Sequence, residues 1–182
     1  MPSLHCSQKF MKALGKNADK IFHASHPGHA DLSILGSWTA HILFLSRVKF
    51  VLFVNDKTVL TLLVPFAPKE KILERFRHAL LKELVSLGIP SARATEEVVC
   101  YDSFTLSKNT DRSMAGYLNQ ITFEYKYLML YHMEKGSTVD LEKIQASIND
   151  SPRVKRVKCF PNDYVRELFG LEKRPYFEGR NY

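Results

Sequence analysis

The stretch TLSKNTDRSMAGYLNQ, Thr105 to Gln120, carries Lys108, Asn109 and Arg112 across the junction between an extended segment and a long helix. The first backbone N–H groups of a helix lack internal partners and sit at the positive end of its dipole, so such a junction attracts phosphate. Lys108 would add charge, and Arg112 would grip two oxygens at once. The competing role is structural: Asp111 or Asn109 caps the helix while both cations lie in water. A second set lies in SWTAHILFLSRVKFVLFVND, where strand alternation puts His41, Leu43, Leu45 and Arg47 on one face and Ala40, Ile42 and Phe44 on the other. An imidazole and a guanidinium beside Trp38 suit phosphodiester chemistry, with His41 as general acid or base and Arg47 as charge stabiliser. The leucines on that face equally suit a half-buried, hydrogen-bonded histidine.

Two further clusters are weighed in the same way. RVKRVK places Arg153, Lys155, Arg156 and Lys158 near Phe160 and Tyr164, a pattern that serves either nucleic-acid contacts or a solvated edge strand. In HASHPGH, His23, His26 and His29 recur every third residue. Imidazoles so close could share a metal, but zinc sites usually add Cys or carboxylate ligands and the Pro-Gly pair prevents a regular helix there, so a loop with incidental histidines is preferred and no metal or other cofactor is expected. GxGxxG, GxxxxGK[ST], HExxH and GxSxG patterns are absent, which removes the common dinucleotide, NTPase, zinc-protease and hydrolase signatures.

The elements that must position these residues follow from periodicity. SQKFMKALGK predicts a short helix from Ser7 stopped by Gly15, and the polar run from Asn17 to Ser37 reads as a loop. WTAHILFLSR, KFVLFVNDKT and VLTLLVPF predict three strands of an antiparallel meander, with turns at SRVK and NDKT. Ile72, Leu73, Phe76, Leu80, Leu84 and Leu87 repeat at helical spacing over residues 68–88. A shorter helix over 90–101, a strand in SFTLSK and a helix over 112–133 follow. The fold class is therefore α+β: a meander covered by the two main helices, residues 1–135, with a small C-terminal α/β appendage, residues 136–182.

With 182 residues, 45% of them hydrophobic, the chain can bury a core without staples. Its 26 Lys and Arg against 19 Asp and Glu give a net charge of +7, which favours anionic partners. The three cysteines, Cys6, Cys100 and Cys159, lie far apart, and no membrane-length apolar run occurs, so a cytoplasmic protein without membrane contact is expected.

Three blocks, LHCSQKFMKALG, GSWTAHILFLSRVKFVLFVNDKT and KNTDRSMAGYLN, resemble a family of small bacterial domains of unknown function across residues 4–120. The resemblance marks Trp38, Arg47, Lys49, Asn55, Lys108, Arg112, Ser113, Gly116 and Asn119. Thr39 stands where that pattern has His, His41 where it has Asn, and Val48 where it has a second basic residue. If the blocks converge, Trp38, Arg47, Lys49, Lys108, Arg112 and Asn119 line one cationic surface.

The functional expectation is a nucleic-acid-binding protein, RNA rather than DNA, in the form of a metal-independent nuclease of the toxin or defence type. His41 would shuttle protons while Arg47 and Arg112 stabilise the transition state. Trp38, Lys49, Lys108, Asn109, Asn119, Arg153, Lys155, Arg156 and Lys158 would hold the strand. The alternatives are a non-enzymatic module for an acidic protein partner and a nucleotide-binding or nucleotide-transferring enzyme.

Overall fold

The computed structural model describes residues 1–22, 33–45, 47–153, 157 and 160–174. It opens with β1 (Ser3–Cys6), whose Leu4 and Cys6 are wholly buried while His5 takes the opposite face. Four residues carry too little alternation to mark a strand in the sequence. Ser7 then caps α1 (Gln8–Leu14), its Oγ accepting from the Phe10 N–H at 3.3 Å, and Gly15 ends that helix at φ +71°. The segment expected to be loop throughout contains α2 (Ala18–Phe22), because Ala18, Ile21 and Phe22 share a buried face. His23, His26 and His29 lie outside the described residues.

β2 (Trp38–Leu45), β3 (Val48–Asn55) and β4 (Thr61–Pro65) are the three apolar runs, paired antiparallel. After them come α3 (Ile72–Ser86), α4 (Ser91–Val99), β5 (Thr105–Lys108), α5 (Arg112–Glu134), α6 (Leu141–Asn149) and α7 (Pro161–Leu168). The sheet order is β4-β3-β2-β1-β5, and β1 runs parallel to both β2 and β5. The antiparallel meander thus accounts for three strands, and the whole is a mixed five-stranded sheet. Parallel pairing needs a long crossover, which α1, α2 and the residues up to 37 supply between β1 and β2.

Both sheet faces are covered. On one, Phe10, Phe22, Trp38, Phe53, Phe76 and Phe104 form a core that also takes Val165 of α7 and Phe169 just after it. On the other, Leu43, Leu52, Val54 and Leu63 meet Met114, Ile121, Tyr125 and Met129 of α5 and Ile144 and Ile148 of α6. Coverage on both sides is why the meander strands read as continuous apolar runs. The two helices described after residue 136 pack into these two cores, whereas the strand expected near residues 153–158 falls mostly outside the described residues.

β4 is an edge strand, and α6 closes that edge. Asn149 Oδ1 accepts from the Thr61 N–H at 2.9 Å, Gln145 Oε1 accepts from the Leu63 N–H at 2.9 Å, and Pro65 has no N–H to offer. Behind these amides the buried Glu83 of α3 accepts from Gln145 at 2.7 Å and from Asn149 at 3.0 Å.

Candidate functional site

On the α5 side of the sheet the register gathers polar residues at β5, β1 and β2. Ser107, His5 and Thr39 form one row across the three strands, and His41 lies two residues further along β2. His5 Nδ1 and Ser107 Oγ are 2.7 Å apart, and His5 Nε2 lies 3.5 Å from Asp56 Oδ2. Thr39 Oγ1 donates to Asp56 Oδ1 at 2.6 Å, while the Asp56 N–H donates to Ser37 O at 3.1 Å. The turn after β3 thereby aims a carboxylate back across the sheet. His41 Nδ1 stands 2.9 Å from Ser7 Oγ, the same hydroxyl that caps α1.

Two residues along a strand and one strand spacing across put the α-carbons of His5 and His41 about 8 Å apart on one face. The His5 side chain is 37% exposed and reachable, whereas His41 is 9% exposed. Burial lowers the His41 pKa, and the positive charges of Lys9 and then Lys126 push it further in the same direction. The ring is therefore neutral at neutral pH, the state a general base needs. Its Nε2 has no hydrogen-bond partner among the described residues. The arrangement is a base held by one serine beside a second imidazole held by a serine and a carboxylate, which is the equipment of paired proton transfer.

Of the residues singled out from sequence, only His41 belongs to this cluster. Trp38 is wholly buried on the opposite face with its ring 5.1 Å from Phe76, so it lines no anion surface. Arg47 lies in the turn after β2 rather than on the strand face, and with Lys49 and Lys69 it lines an open cleft of about 730 Å³. Lys108 is level with Ala40, whereas Lys49 is level with Phe44 and three strands away from β5. That is about 13 Å along the strands and about 14 Å across them. The meander cations and the helix-start cations therefore form two separate groups.

At the helix start, Asp111 Oδ1 accepts from the Ser113 N–H at 2.7 Å and the Met114 N–H at 3.1 Å, and Asn109 Oδ1 accepts from the Asp111 N–H at 3.0 Å. A carboxylate already occupies the donors a phosphate would use, and Lys108 and Arg112 flank a capped junction and are exposed. Asp111→Ala is expected to cost about 1 kcal/mol, read as a melting temperature about 2–4 °C lower. Asn119 is exposed on α5. Arg153 is buried and paired with Glu124 at 2.9 and 2.8 Å, so it is unavailable to a nucleic acid, and Lys155, Arg156 and Lys158 lie outside the described residues.

Sequence reasoning missed His5, Thr39, Asp56 and Ser107. The one local signal was the alternation in SLHC, which sets Ser3 and His5 against Leu4 and Cys6; the pairing of His5 with Ser107 spans 102 residues and exists only in the sheet.

A family model extends over this whole arrangement, from β1 into α7. The chain belongs to the family Domain of unknown function (DUF6933), matched over residues 3–165. The DUF6933 match contains every residue of the His5 and His41 cluster and both helical layers, reaching well past the blocks that carry the resemblance. No curated protein matches the chain. Among the described residues no group of three or more His, Cys, Asp or Glu is placed to hold a metal ion, and no helix is long and apolar enough to cross a membrane.

Proposed function

We propose that this DUF6933 domain binds RNA and cleaves it by metal-independent transesterification, as a bacterial toxin or defence nuclease would. The observation that carries the reading is the pair of imidazoles on one sheet face with α-carbons about 8 Å apart, the two groups that acid–base cleavage of a phosphodiester needs. Neutral His41 takes the proton from a ribose 2′-hydroxyl through Nε2, and the 2′-oxygen attacks phosphorus. His5, held at Nδ1 by Ser107, gives the proton on Nε2 to the departing 5′-oxygen, which takes the place of the Asp56 carboxylate as the partner of that nitrogen. A 2′,3′-cyclic phosphate and a 5′-hydroxyl result, and the two histidines have exchanged protonation states. Lys9 and Lys126 supply positive charge beside His41, and the net charge of +7 favours the polyanion.

The test is an end-labelled single-stranded RNA incubated with the protein in EDTA and resolved on a denaturing gel, beside the same sequence with 2′-deoxyribose at every position. Cleavage of RNA alone, with cyclic phosphate ends, is expected; cleavage of the deoxy strand, or none of either, overturns the reading. Cleavage should rise with pH as His41 loses its proton, with the midpoint of that limb below the usual 6.5 of histidine. Removing a neighbouring positive charge raises the His41 pKa, so Lys9→Met should move the limb to higher pH. A limb that stays in place removes His41 from the base role.

A further inference from the structure

Over its second half, residues 123–133, α5 carries apolar side chains on two opposite sides. Its buried stripe, Met114, Leu118, Ile121, Tyr125 and Met129, packs on the sheet, yet Phe123, Tyr127, Leu130 and Tyr131 form a second stripe on the opposite side. Phe123 is 70% exposed and Tyr127 59%, and their rings stack with centroids 6.4 Å apart. The apolar side of a helix is normally covered. Among the described residues Lys135 reaches over the Tyr131 ring, its Nζ 4.5 Å from the centroid, while Phe123, Tyr127 and Leu130 stay open, and every residue from Leu130 to Lys135 except His132 is exposed, so the last turns of α5 stand clear of the sheet.

We infer that this stripe pairs with the same stripe of a second copy of the chain, the two α5 helices crossing antiparallel between Tyr127 and Leu130. The flanking charges select this occupant and orientation. Lys126 borders the stripe in its N-terminal half and Glu134 ends it, so an antiparallel crossing brings Lys126 within about one helical turn of Glu134 of the partner subunit, twice by symmetry. A parallel pairing would set like charge against like. Leucine and methionine among the exposed side chains, Leu130 and Met133, suit a protein surface better than a base-stacking platform. The exposed large side chains leave on the order of 500 Å² of apolar surface per copy, so two copies together bury about 1,000 Å². That is the lower limit of a specific interface.

Sedimentation equilibrium from about 1 to 200 µM is the direct test. The wild-type chain should pass from one to two chains' mass with a Kd on the order of 10 µM. Tyr127→Glu and, independently, Phe123→Ser change exposed residues and should raise Kd at least about 30-fold with the far-ultraviolet circular dichroism unchanged. Lys126→Glu should weaken the dimer, and Glu134→Lys in the same chain should restore it. A wild-type chain that stays monomeric throughout overturns the inference, whether its stripe is then met by a different protein, a nucleic acid or the chain's own remaining residues. A dimer whose Kd ignores both stripe substitutions overturns it as well. Neither result bears on RNA cleavage.

Discussion

Replacing His41 with alanine is expected to lower RNA cleavage ~10²–10⁴-fold while RNA affinity stays nearly constant, because the ring supplies proton transfer rather than a phosphate contact. The imidazole is buried, takes no charge at neutral pH and presents Nε2 without a partner among the described residues, so little ground-state binding is lost with it. The measurement is single-turnover cleavage at saturating enzyme with affinity read separately by anisotropy. His5→Ala should give a loss of similar size but a different pH profile, since it removes the acid and spares the limb set by His41. Ser107→Ala and Asp56→Asn act through His5 and are positioning changes; their losses should be smaller and should vanish in the His5→Ala background. Cleavage that is unchanged in His41→Ala sinks the mechanism, and equal losses of rate and affinity would reduce His41 to a structural residue.

The second large effect concerns stability. Asn149→Ala removes four hydrogen bonds at once: Oδ1 accepts from the Thr61 N–H and from Thr61 Oγ1, and Nδ2 donates to Thr61 O and to Glu83 Oε1. All the groups involved are buried, so each left without a partner carries a desolvation cost, and the sum is about 3 kcal/mol. In a chain of this size that lowers the melting temperature by about 6–12 °C. Gln145→Ala opens the same strand edge at a half-buried position and should cost about 1 kcal/mol.

Glu83 adds a pH signature. Burial raises its carboxyl pKa, and the hydrogen bonds from Asn149 and Gln145 pull against that rise. A carboxyl raised in the folded state contributes stability that is complete below the ordinary glutamate pKa and fades as pH climbs through the folded value. Thermal melts of the wild type against Glu83→Gln from pH 4 to 8 read this directly. Glutamine turns one amide donor toward another, so the variant should be less stable at every pH yet lack that fade.

The legible parts of the fold were those whose information is local. α3 and α5 repeat apolar residues at helical spacing over several turns, and the meander strands are long apolar runs separated by turn residues, so their existence needed no tertiary knowledge. The cap at Asp111 was local too, since an aspartate two and three residues before free N–H groups closes its own hydrogen bonds. β1 was not legible because four residues between the start of the chain and a helix cap carry one alternation. α2 was obscured by the polar, histidine-rich residues that follow it.

The candidate site divides along the same line. His41 was visible because its alternation with Ala40 and Ile42 is a property of one strand. Its role alongside His5 was not, because the two histidines share a face only once β1 has inserted between β2 and β5, a pairing chosen by Leu4 and Cys6 filling the core below. Trp38 and Arg153 misled for the converse reason: residue type suggests a binding surface, but side-chain packing against Phe76 and ion pairing with Glu124 consumed them. By itself the sequence determined the elements, the cap and the excess of positive charge, all set by neighbours along the chain. Which imidazole meets which hydroxyl or carboxylate, and which cations stand apart, only the tertiary structure decided, because hydrogen bonds and Coulomb forces act over ångströms in space while the groups concerned lie as many as 102 residues apart.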